Sequence, residues 1–164
     1  EIKNKFLTKE NFYFLVAISI IFFLDRYSKN LILEILEDEK YLIINDYINL
    51  NLVFNTGIGF GLFSFEAGIY YNLLSFLIFF IILVLLILMF RSNFVDKIFL
   101  SVIIGGAIGN LYDRVIYKAV PDFIDLHFQS FHWFSFNIAD IFISLGIIFM
   151  LINEIIFKNK KNEN

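Results

Sequence analysis

The chain has no cysteine, one proline, one tryptophan and only two histidines. The lack of cysteine excludes a disulfide framework, a thiolate nucleophile and cysteine-ligated metal sites. His127 and His132 stand five apart with no glutamate between them, so the HExxH pattern of zinc proteases is missing, and both read as polar residues of a wet loop. Ser75 and Ser144 lie in apolar runs without a Gly-x-Ser-Gly-like context. Charged residues make up 18% of the chain and the net charge is −3, which argues against a nucleic-acid partner. No cleavable signal peptide is expected, because the first apolar run continues as a full span and carries charge near its end.

Apolar residues are abundant instead. They form 59% of the 164 residues, against roughly 45–50% in an average soluble domain, and the mean hydropathy is +0.76. A soluble fold this small has too little interior to hide that much apolar surface, whereas a bilayer removes the difficulty. The length suits one domain. Four stretches approach the roughly 20 residues needed to cross a bilayer, at about 12–33, 69–90, 95–115 and 136–157. A tight turn at 91–94 joins the second to the third. The connections at about 36–67 and 116–135 are longer. Within the first, Tyr41–Ile44 and Ile48–Phe54 are rich in β-formers and read as strands, whereas Val120–Phe134 reads as a loop.

Orientation follows from the basic residues. Eight of the 13 fall before the first span, at the tight turn or after the fourth span, which places both termini and that turn on the cytoplasmic side and the two long loops outside. Helical rise then sets depths. Asp25 lies about 20 Å along the first span and Arg114 about 28 Å along the third, while Asp140 is about 6 Å inside the outer end of the fourth. Asp122 occupies the outer loop between the last two. Polar groups from three spans and one loop meet at one depth.

An ionisable side chain inside a span is costly and is a functional candidate by default, although structural ion pairs leave the same signature. Asp25 and Lys29 are i,i+4 neighbours able to pair, and Asp113 is placed to neutralise Arg114. Gly105 and Gly109 form a small-xxx-small pair that suits a close helix contact. Asn137 and Asp140 share a helix face, as do Asn110 and Arg114. Two carboxylates brought together in a low-dielectric site tend to share one proton. The ionised one then takes a proton from water while the protonated one hydrogen-bonds a substrate carbonyl, so Asp122 with Asp140 would suit aspartyl proteolysis. The outer loop also offers Asp125, which a short helical turn would put on the same face as Asp122. Asp125 reads as facing water or capping a local turn.

Four blocks, in order and over nearly the whole length, resemble the lipoprotein signal peptidase (signal peptidase II) family. Leu24-Asp25-Arg26-Tyr27-Ser28-Lys29 is similar to the family's Leu-Asp-Gln-x-Thr-Lys, with Arg26 and Ser28 departing from it. Asn55-Thr56-Gly57-Ile58-Gly59-Phe60 is similar to Asn-x-Gly-Ala-Ala-Phe, with both alanines replaced. Gly105-Gly106-Ala107-Ile108-Gly109-Asn110-Leu111-Tyr112-Asp113-Arg114 matches Gly-Gly-Ala-x-Gly-Asn-x-x-Asp-Arg throughout. The continuation of this third block to Val120-Pro121-Asp122-Phe123 resembles Val-Val-Asp-Phe, with Pro121 in place of an aliphatic residue and Lys118, upstream, where glycine is usual. Phe136-Asn137-Ile138-Ala139-Asp140 matches Phe-Asn-x-Ala-Asp.

The resemblance implies a four-helix membrane bundle with a small extracytoplasmic β-sheet and a periplasmic loop over the site. It implies an aspartic endopeptidase of the bacterial inner membrane. Its substrate would be a diacylglyceryl-modified prolipoprotein, cut just before the lipidated cysteine. Asp122 and Asp140 would be catalytic, with Asp25, Asn55, Asn110, Arg114 and Asn137 as supporting residues. Membrane lipids and the prolipoprotein are the partners implied, a monomer is expected, and no metal or organic cofactor is called for. The competing classes are a small transporter or channel and a non-catalytic assembly factor, in which the aspartates would serve only solute contact or interhelical pairing.

Overall fold

The computed structural model describes residues 8–37, 41–57 and 68–158. Four long helices run α1 Lys9–Ile35, α2 Ile69–Arg91, α3 Phe94–Ile116 and α4 Ile138–Asn153, the last continuing as a π-helical turn at Glu154–Lys158. Their starts are written in the sequence. Thr8 accepts the Asn11 N–H at 3.1 Å to open α1, and Asn93 accepts the Asp96 N–H at 3.1 Å to open α3. Asn137 and Asp140 form a reciprocal capping box at α4. Each cap satisfies backbone donors that have no partner inside the helix.

Three of these helices, Ile69–Arg91, Phe94–Ile116 and α4 extended to Ile156, are long and apolar enough to cross a membrane. α1 is not among them, since its second half carries Asp25, Arg26, Lys29 and Glu34. α2 is apolar all round and largely exposed, as a lipid-facing helix is. α3 is the central helix and packs against the other three. Phe14, Ile18, Ile82, Met89, Leu100 and Ile104 fill the space between α1, α2 and α3.

The close approach of α4 to α3 depends on Gly106. A Cβ there would sit 2.6 Å from the Ala139 carbonyl oxygen. On the α1 side, a Cβ on Gly109 would sit 2.4 Å from an Asp25 carboxylate oxygen.

The strand expectations at 41–44 and 48–54 are met by β1 Tyr41–Ile43 and β2 Ile48–Asn55, while Ile58, Gly59 and Phe60 of the second block lie outside the described residues. The loop expected at Val120–Phe134 is corrected: Val120–Phe128 is strand β3 and Phe131–Phe136 is strand β4. All four strands form one antiparallel sheet in the order β1-β2-β3-β4. β3 is buried along most of its length, on both faces, so it shows no clean apolar–polar alternation, and its Pro121 and His127 read as loop residues. Pro121 is tolerated because it is only the second residue of the strand, where few ladder bonds are at stake. One sheet face meets the end of α1, where Phe123, Ile32 and Leu36 pack together.

The strand geometry also corrects Asp125. Residues three apart on a strand point to opposite faces, so Asp122 and Asp125 do not share one. Asp125 does not face water: it is 2% exposed and its carboxylate lies 2.7 Å from His132 Nδ1. The two histidines belong to the paired strands β3 and β4, with their rings stacked 5.4 Å apart.

Lys118, which stands where the family carries glycine, has φ 58. That is the left-handed region, which costs a side-chain-bearing residue about 1–2 kcal/mol. Lys118→Gly is therefore expected to stabilise the fold by up to about 1 kcal/mol, read as a higher thermal midpoint in detergent. An unchanged or lower midpoint would contradict this reading of the turn.

Candidate active site

Asp122 reaches the site from β3, in register with Val53 of β2, while Asn55 lies opposite Val120. This pairing brings Asn55 Nδ2 to 2.9 Å from Asp122 Oδ2. The amide is oriented by its other end, since Asn55 Oδ1 accepts the Gly57 N–H at 2.8 Å. The other Asp122 oxygen, Oδ1, accepts from Asn137 Nδ2 at 2.6 Å. Asn137 is likewise oriented, its Oδ1 accepting the Asp140 N–H at 3.1 Å. The residue that caps α4 is thus also the one that grips Asp122.

Asp140, in the first turn of α4, takes the Asn137 N–H on Oδ2 at 3.2 Å and Asn110 Nδ2 on Oδ1 at 2.8 Å. Both carboxylates line one cavity of about 240 Å³, together with Asn55, Asn110, Arg114 and Ser144 and an apolar wall that includes Ile78 and Ile143. Water occupies about 30 Å³ per molecule, so the space suits a short stretch of extended chain with a reacting water. Burial, and after it the nearby Asp140 charge, push the Asp122 carboxyl up to about 6. Arg114 is 5% exposed, and its Nη1 has no hydrogen-bond partner among the described residues. A buried guanidinium nitrogen left in that state is costly and suits an incoming carbonyl oxygen.

Behind the cavity lies a charged cluster whose extent the sequence does not reveal. Lys29, fully buried, donates to Asp25 Oδ2 at 2.9 Å, Asp113 Oδ2 at 2.7 Å and Asn110 Oδ1 at 2.9 Å. Asp25 does pair with Lys29, as the spacing suggests, and its second oxygen accepts the Ala139 N–H at 3.1 Å. Asp25 therefore acts from behind the cavity wall, on the first turn of α4. Asp113 does not neutralise Arg114. Its ion pairs run to Lys29 and to Arg26, at 2.6 Å, because adjacent helix residues point in different directions and Arg114 turns to the cavity. In the sequence Lys29 reads as half of an i,i+4 pair and as the last residue of the first block, and its partners on α3 are more than 80 residues away in the chain.

Known proteins of similar length match the chain over most of both sequences. A family model described as Signal peptidase (SPase) II matches residues 17–156. The chain is 46% identical over 155 residues to a lipoprotein signal peptidase of Pelagibacter ubique, covering 93% of each. It is 34% identical over 146 residues to one of Thermodesulfovibrio yellowstonii, covering 89% of this chain and 93% of that protein. A solved bacterial membrane enzyme shares the fold with a TM-score of 0.71 at 24% identity, over 93% of this chain and 92% of that one. The matched segment begins in α1 and ends in the last turn of the chain's final helical stretch, enclosing every residue of the cavity and of the charged cluster behind it. The chain belongs to the signal peptidase II family of aspartic peptidases.

Proposed function

We propose that Asp122 and Asp140 are the catalytic dyad with which this chain removes signal peptides from bacterial prolipoproteins. The observation that carries the proposal is that the two carboxylates share one cavity and that each of their four oxygens accepts an N–H from an oriented group. A solute site or an interhelical tie would not need two carboxylates held side by side in a space open to a peptide. Asn55, Asn110 and Asn137 position the dyad, Arg114 receives a substrate carbonyl, and Asp25 holds the first turn of α4.

The setting we propose is a single peptidase domain crossing the inner membrane four times, with α1 as the first span, the termini cytoplasmic and the sheet outside. The charges of α1 do not oppose this. Asp25, Arg26 and Lys29 are buried, and with Asp113 they form a neutral group of two acids and two bases that faces protein instead of lipid. A cavity at the outer end of α3 and α4 suits a substrate that arrives sideways, anchored by diacylglyceryl chains, and one chain contains the whole site.

Incubating the purified protein in detergent with a diacylated pre-lipoprotein tests the reading. The expected outcome is release of the signal peptide before the lipidated cysteine. The unmodified precursor, or one with that cysteine changed to serine, is expected to be cut at least tenfold more slowly, about 1.4 kcal/mol in the transition state. Equal rates on both would favour a general membrane protease, and no cleavage of either would remove the peptidase assignment.

A further inference from the structure

We propose that Lys29, acting through Asn110, decides which aspartate holds the dyad's proton: Asp140 is the carboxylate that activates water, and Asp122 is its protonated partner. This rests on the reading of Asp122 and Asp140 as the catalytic pair and adds a positioning residue to it.

The inference follows from donors and acceptors that have only one possible role. An ammonium donates and never accepts. Lys29 therefore fixes the Asn110 carbonyl toward itself at 2.9 Å. That leaves the Asn110 amide nitrogen, which only donates, 2.8 Å from Asp140 Oδ1. A proton on that oxygen would have to point away from its nearest partner. The other oxygen already faces the Asn137 N–H at 3.2 Å.

Asp122 also receives two amide donors, but their far ends are tied to neutral backbone groups, Gly57 N–H and Asp140 N–H. No charge stands behind them. On the Asp140 side, a full positive charge lies two hydrogen bonds away in a water-poor interior, where such interactions are strong.

The other charged groups do not reverse this. From α1, Asp25 and Arg26 face the cluster, and from α3, Asp113 does. Asp25 and Asp113 are each shared between Lys29 and Arg26. Arg114 of α3 lines the same cavity as both aspartates and belongs to neither alone.

With the proton so assigned, the reaction balances. The Asp140 carboxylate takes one proton from water as the water oxygen bonds to the scissile carbonyl carbon, and Asp122 gives its proton to the carbonyl oxygen. The gem-diol then collapses. The C–N bond breaks, its nitrogen takes the proton from Asp140, and one diol hydroxyl returns a proton to Asp122. The products are an acid and an amine, and the dyad is as it began.

A purely structural Lys29 would tie α1 to α3 through Asp25 and Asp113 and leave the titration of the site alone. The test is therefore the pH profile of kcat/KM on a diacylated pre-lipoprotein. It compares wild type with Asn110→Ser, which opens the relay without changing charge, and with the charge-balanced double variant Lys29→Met/Asp113→Asn. Both are expected to move the acid limb to higher pH by about one unit, because the base loses its donor or the charge behind it, with the alkaline limb nearly unmoved. Lys97→Met breaks the Glu10 pair at the opposite end of the α1–α3 contact and should move neither limb, which separates titration from general loosening. If the double variant does not fold, Asn110→Ser decides alone. An unmoved acid limb, or movement of the alkaline limb instead, overturns the assignment. Full cleavage by Asp122→Asn or Asp140→Asn would instead remove the dyad itself.

Discussion

Asp122→Asn and Asp140→Asn are each expected to lower turnover at least about 10³-fold, the scale seen when a group essential to proton transfer is removed. Asparagine keeps the size of aspartate and one oxygen to accept a hydrogen bond, so one of the two donors at each position keeps its partner while the other faces an amide that also donates. What goes is the ability to exchange a proton with water or with the substrate carbonyl. Expression, membrane insertion and thermal midpoint should stay near wild type. The double variant should be little worse than either single one, because residues that act as a unit lose their effect together. Asp125→Asn is the internal control. It lies on the opposite face of β3, against His132, and asparagine still offers that imidazole an acceptor, so most activity should remain. An active Asp122→Asn beside an inactive Asp125→Asn would mean that the wrong carboxylate of the strand had been chosen.

The second large effect is expected at a residue with no ionisable group of its own. In Gly106→Ala the new methyl would sit 2.6 Å from the Ala139 carbonyl oxygen and 3.0 Å from Ile143 Cγ1. Ile143 can turn aside, but the carbonyl is backbone, so the first turn of α4 must move away from α3. That turn carries Asn137 and Asp140, and Asn110 on α3 must reach Asp140 across the same gap. A displacement of about 1 Å at a reacting group can cost about 10²-fold in rate. The expected result is therefore a loss of about that size in kcat, with KM for the lipidated precursor changed much less. A loss confined to KM would mean that the glycine serves substrate entry, and full activity would mean that the helices separate without disturbing the dyad. Gly109→Ala meets a carboxylate of the buried cluster instead and is expected to cost folded protein before it costs rate, since disturbing a buried ion pair leaves charge uncompensated.

Much of this was legible in the linear chain because it follows from local rules. Long apolar runs can only be helices in a bilayer, and helix bounds follow from caps such as Asn93 and Asn137 that sit beside the residues they serve. Stretches rich in β-formers gave β1 and β2. Counting rise along the helices allows Asp122 and Asp140 to lie at one depth, and the motif blocks single out those two carboxylates together with Asn55, Asn110, Arg114 and Asn137; that the two line one cavity is read from the tertiary structure. What only the tertiary structure decided involves partners distant in sequence or faces set by secondary structure. Strand β3 escaped because a strand buried on both sides carries no period-two signal, and β4, exposed over its first half and half-buried over the rest, shows no alternation either; with β3 went the fact that Asp122 and Asp125 point apart. The pairing of Asp113 escaped because charge proximity along a helix says nothing of direction: one residue's step turns Arg114 into the cavity and leaves Asp113 to Arg26 and Lys29. The reach of Lys29 from α1 through Asn110 to Asp140 was hidden for the same reason. Its hydrogen bonds join residues brought together only when Gly105, Gly106 and Gly109 let the helices close, and packing of that kind is a property of surfaces in contact that no single stretch of chain encodes.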